Sequence, residues 1–122
     1  MDYSDLHDAE INMKVCAALG LCLSGYARII RQGDATILLD DNKTLVDYCN
    51  NPADAWPIIT ENHISLMYEE SLGKWCAGKP YWVDGCEWQL DIDVVDKNPL
   101  RAAMIVYLQM QDSANVQDNP SR

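Results

Sequence analysis

Apolar positions along the chain alternate between helical spacing and strand-like runs. Ile11, Val15, Ala18 and Leu19 form one stripe at helical spacing, which predicts a first helix from about His7 to Leu19. Leu6 and Ile11 have the spacing of a hydrophobic staple around a cap at His7, with Glu10 three residues beyond it. Gly20 supplies the stop. Tyr26 to Arg31 and Ala35 to Asp40 then read as strands around a turn at Gln32-Gly33-Asp34, and Lys43 to Tyr48 as a third strand. Asn51-Pro52 opens a second helix: Asn accepts a hydrogen bond from a free helical N–H, and Pro fits the first helical position because it has no N–H to leave unpaired. Asp54 in that first turn complements the helix dipole. Pro57 removes a backbone bond one turn in, so a kink or a short helix is expected. Trp56, Ile59 and His63 are placed on one side of it, with Trp56 in the core.

The second half repeats the order. Ile64 to Glu69, Lys74 to Ala77, Pro80 to Val83 and Glu87 to Val95 are strand-like, punctuated by Gly73, Gly78 and Gly85. Asn98-Pro99 opens a third helix, which from Leu100 to Met110 is apolar almost all round and therefore expected to be buried. The polar stretch after Gln111 reads as a frayed, flexible tail, leaving residues 1–111 as a single domain and 112–122 as an appendage. The expected architecture is α+β, a mainly antiparallel sheet packed by three helices in the order α-β-β-β-α-β-β-β-α, sandwich-like.

Composition narrows the picture. With 122 residues, 48% of them hydrophobic, the chain can build one real core. No apolar run approaches the roughly 18 residues that span a membrane, and the acidic start, Met1-Asp2-Tyr3-Ser4-Asp5, lacks the basic region of a signal peptide; a cytoplasmic protein is expected. The net charge of −10, with scattered cations, argues against direct nucleic-acid binding and leaves room for a basic protein partner or DNA mimicry. Cys16, Cys22, Cys49, Cys76 and Cys86 form no C-x-x-C pair, so five free thiols and no metal site are expected, and no cofactor motif is found.

Three blocks carry a family resemblance: Glu10-Ile11-Asn12 through Ala18-Leu19-Gly20, Val46 through Ile59 around Asn50-Asn51-Pro52-Ala53-Asp54-Ala55-Trp56-Pro57, and Asn98-Pro99-Leu100-Arg101-Ala102-Ala103-Met104-Ile105-Val106. Together they resemble the NinX family of small proteins from lambdoid phages, and more distantly phage proteins with an α-β-α sandwich fold. His7 stands where such proteins often carry a Ser cap, and the segments Ser24 to Lys43 and Glu69 to Asp96 match little. The resemblance implies a phage accessory gene expressed in the bacterial cytoplasm and implies no reaction.

Candidate chemistry is sparse. Arg101 falls at the third position of a helix N-terminus, where a cation is disfavoured. Its compensation is either a bound phosphate or carboxylate shared with the N–H groups after Asn98, or, in the simpler reading, a salt bridge to Asp96 or Asp54 or plain solvation. Tyr81 and Trp82 beside a turn could stack a base or pack a partner side chain. Arg101, Asn98, Trp82 and Tyr81 are therefore the candidate ligand contacts, and no catalytic residue is expected. Asp91 and Asp93, placed on one strand face, and Cys49, expected to be somewhat acidified near a helix start, are the alternatives for a small hydrolase or transferase. The leading expectation is a non-enzymatic binder that sequesters a nucleotide-like signal or occludes a host protein as counter-defence; an acidic interaction module is a further alternative, and a homo-oligomer is compatible with all of them.

Overall fold

The computed structural model describes residues 2–22, 28–29 and 35–117. Its elements run α1 (Asp8–Ala18), β1 (Arg28–Ile29), β2 (Ile37–Leu38), β3 (Leu45–Val46), α2 (Pro52–Glu61), β4 (Ser65–Glu69), β5 (Lys74–Val83), β6 (Glu87–Asp96) and α3 (Pro99–Gln117). The expected α+β order is present. Its strands divide into two antiparallel three-stranded sheets, β1-β2-β3 and β4-β5-β6. The turn read at Gln32-Gly33-Asp34 lies outside the described residues.

The centre of the molecule is α3. Residues Ala102 to Leu108 are buried all round, as their unbroken apolar run requires. Sheet β4-β5-β6 packs on one side of this helix, α1 and α2 pack on others, and β2 lies against α1. Ile11, Val15, Ile37, Ile58, Ile59 and Ala77 join them in one core cluster.

Local chemistry explains the helix ends. The Glu10 side chain accepts from the His7 N–H at 3.2 Å, closing the start of α1. At its other end Gly20 takes φ +77°, and the Leu21 N–H reaches back to the Cys16 carbonyl at 3.1 Å, a left-handed cap suited to Gly. Asn51 Oδ1 accepts from the Ala53 N–H at 3.0 Å, and α2 continues through Pro57 for ten residues in all, so Pro57 does not end it.

Four expectations change. Trp56 is not in the core but 59% exposed; the buried positions of α2 are Ala55, Ile58 and Ile59, and Trp56 sits about 100° round the helix from Ala55. Gly78 does not end a strand: β5 is continuous from Lys74 to Val83 and accommodates a bulge there. The helix read as fraying after Gln111 runs to Gln117, and the Tyr3 hydroxyl donates to Asp112. Cys16 and Cys22 are not free thiols but a disulfide across the Gly20 turn, Cα–Cα 5.9 Å.

Candidate functional site

The two Asn-Pro turns come together. Asn98 Oδ1 caps α3 by accepting from the N–H groups of Leu100 (2.9 Å) and Arg101 (3.3 Å). Its Nδ2 donates across to the Cys49 carbonyl (2.6 Å) and to Asn50 Oδ1 (3.1 Å), just ahead of the first Asn-Pro pair. Beneath them Asn12, fully buried, donates to Asp47 Oδ1 and the Ala35 carbonyl and accepts from the Cys49 N–H. Asn50 Nδ2 ties Asp47 to Asp8.

Arg101 completes this network. Its Nε donates to Asp96 at 3.1 Å, Nη1 to Asp8 at 2.7 Å, and Nη2 to the carbonyls of Ser4 and Leu6. Two carboxylates thus supply the compensation that a cation in the first turn of α3 requires, and raise the guanidinium pKa further against the opposing effect of burial. Asp96 is one of the two partners read from the sequence. Asp8 is the one missed, and Asp54 instead accepts from the Asp47 N–H. Arg101 and Asn98 are thereby fastened to protein groups, as a clamp between α1, α3 and the first Asn-Pro turn.

Cys49 lies within the same network, yet its thiol moves opposite to expectation. Burial pushes its pKa strongly up, Asp8 adds to this, and Arg101 only partly opposes it. The sulfur contacts the Asp8 carbonyl. Asp91 and Asp93 also depart from the sequence reading. Between them Ile92 takes φ +53°, and the β5–β6 register slips across Gly78. Asp91 pairs with Lys79, whose ammonium reaches the Asn62 carbonyl at the end of α2, on the helix side. Asp93 lies near Cys76, on the outward side with Met67 and Val95, so the bulge separates the two carboxylates.

Tyr81 and Trp82 sit elsewhere, on the distal part of the β5–β6 hairpin. β4 begins opposite Gly78, so Lys79–Val83 and Glu87–Asp91 extend beyond it as a two-stranded ribbon. Successive side chains alternate faces. Tyr81 points to the helix side and donates to Gln89 at 3.0 Å. Trp82 and its cross-strand partner Trp88 pack edge to face on the outward side, centroids 5.4 Å apart, yet remain 52% and 65% exposed. Trp88, Pro80 and Leu90 meet Leu66 and Met67 of β4 around an open cleft of about 380 Å³. The outward face of this sheet thus carries Met67, Pro80, Trp82, Trp88, Leu90 and Val95. Sequence reading selected Trp82 but not its pairing with Trp88, which register alone decides.

Among the described residues no helix is long and apolar enough to cross a membrane, and no three His, Cys, Asp or Glu side chains converge as a metal would need. Comparison with curated proteins found no match, nor did comparison with solved structures. The family model described as bacteriophage P22, NinX matches residues 2–111, spanning α1, both Asn-Pro turns, the ribbon and the buried part of α3. The chain belongs to the phage P22 NinX family.

Proposed function

We propose that this phage accessory protein works as a non-enzymatic binder, occluding a host protein in the infected cell as counter-defence, and that it docks through the outward face of β4-β5-β6. The observation that carries this reading is the character of that face. An antiparallel sheet covered on one side by a helix ordinarily turns polar residues to water on the other. Here the uncovered side presents two tryptophans, a methionine, a valine and an apolar cleft. Exposed patches of this kind mark interaction sites, and Trp is the residue most enriched among energetically dominant contacts.

The same geometry favours a protein over a nucleotide. Phosphate capture at the second Asn-Pro turn would need the Arg101 guanidinium, which already serves Asp8, Asp96 and two carbonyls. Catalysis through Cys49 or the Asp91–Asp93 pair has less support, given a raised thiol pKa and separated carboxylates.

Affinity capture from phage-infected bacterial extract tests the proposal, comparing the natural chain with a Trp82→Ala/Trp88→Ala variant of equal thermal stability. The expected result is a host protein retained by the first and lost by the second. Identical protein sets on both would reject the docking face. Heat evolved on titration with nucleotides or dinucleotides would return the sequestration reading to first place.

A further inference from the structure

We infer that the occupant of this face is a cationic protein segment, one that seats an apolar side chain in the cleft and lays arginines over the tryptophans and the surrounding carboxylates. The inference rests on the docking reading and adds the chemistry of the partner.

Charge on and around the face supports it. Asp93 and Glu69 lie near Cys76, on the outward side of the sheet. Asp84 and Glu87 flank the ribbon tip and are exposed. Of the basic side chains of β5, Lys79 lies on the helix side with its ammonium on the Asn62 carbonyl. Lys74 lies outward across from Glu69, at the end of the sheet away from the tryptophans, so it offsets one of the outward carboxylates and leaves the rim net negative. The whole chain carries −10. A partner approaching the apolar centre therefore meets a negative rim, which speeds a cationic partner and repels an anionic one.

Other occupants fit less well. A second copy of the chain would bring the same acidic rim against itself, and like-charge juxtaposition is costly at an interface. Strand addition at the β5 edge of the ribbon meets Pro80, which has no N–H to offer a new neighbour, and addition along the outer edge of β6 would leave the tryptophan face unused. The character of the face favours side-chain docking on it. The exposed rings of Trp82 and Trp88 suit it, because the electron-rich face of an indole attracts a guanidinium.

The test uses the full chain and three synthetic peptides of equal length: alternating leucine and arginine, alternating leucine and glutamate, and alternating serine and arginine. Binding is read by NMR from the Met67 methyl and the Trp82 and Trp88 indole signals. The leucine–arginine peptide should move these signals, with the other two at least about tenfold weaker. Trp88→Ala, and separately Glu69→Lys/Asp93→Lys, should each weaken it about tenfold. The remote reversal Asp5→Lys/Glu61→Lys should change it less than about twofold. Equal binding of the leucine–glutamate peptide at the same signals overturns the cationic assignment while leaving the docking face standing. Equal binding of the serine–arginine peptide, or equal loss from the remote reversal, reduces the attraction to general acidity and overturns the inference. Failure of all three peptides to move the signals overturns it as well, and the capture experiment then decides the docking face on its own.

Discussion

Replacing Arg101 by Met keeps the aliphatic stem but leaves Asp8 and Asp96 without their counter-charge and the Ser4 and Leu6 carbonyls without a donor. Breaking a largely buried ion pair on one side costs more than the pair contributes, because the orphaned charges stay desolvated. Both carboxylates here keep some solvent, so the expected loss is about 2–3 kcal/mol, measurable as a lower urea midpoint with unchanged slope. Arg101→Lys should recover only part, since one ammonium cannot reproduce a fork reaching in three directions. The tyrosines make a second residue-scale prediction. Burial raises Tyr48 to about 12, and burial with the neighbouring Asp112 raises Tyr3 to about 12. A folded-state pKa above the unfolded value of about 10 means that stability is intact below pH 10 and falls as pH climbs towards 12. Alkaline unfolding followed by far-ultraviolet circular dichroism should begin in that window, and Tyr48→Phe should flatten the decline. Of the Arg101 clamp, half was legible in the sequence. Asp96 lies five positions away, within reach of a local argument, whereas Asp8 lies 93 positions away, and only the packing of α1 on α3 brings it near.

At the scale of elements, the Asn-Pro pairs and Gly20 could be read because capping is local chemistry. The bulge could not, since it depends on which residue of β6 faces Gly78. A Cβ built there would lie 2.8 Å from the Asp91 carbonyl oxygen and 2.9 Å from the Leu90 Cβ, so the ribbon needs a residue without one. Gly78→Ala should therefore destabilise by about 1–3 kcal/mol through enforced backbone displacement. The displaced strand would also shift Trp88 and Pro80, so signals around the cleft should broaden or move by NMR. An unperturbed spectrum and melting temperature would contradict this account. Trp56 shows the opposite limit: helical spacing alone grouped it with Ile59, but the buried stripe of α2 is centred on Ala55, Ile58 and Ile59, and an error of about 100° round the helix is invisible without the packing partner.

Across the whole molecule, the α+β order and the buried third helix were legible from periodicity. The division into two sheets was not, because it depends on pairing between strands of two residues, too short to announce their partners. Nor was the outward face, which exists only once register assigns Met67, Trp88 and Val95 to one side. Cysteine usage gives a prediction at this scale. Under denaturing, non-reducing conditions, thiol titration of protein isolated in air should find Cys49, Cys76 and Cys86, and two further thiols only after reduction. Five thiols without reductant would remove the Cys16–Cys22 bond.

The clamp at Arg101 also orders events in time. Asp8 and the carbonyls of Ser4 and Leu6 are made 93 to 97 residues before the guanidinium that binds them. A ribosome adds about 5–20 residues each second, so the first helix waits several seconds for the guanidinium that fastens it. Until then the apolar side of α1 has no α3 to cover it. The contact between α1 and α3 therefore closes late, and a chain interrupted before Arg101 would leave α1 unlatched.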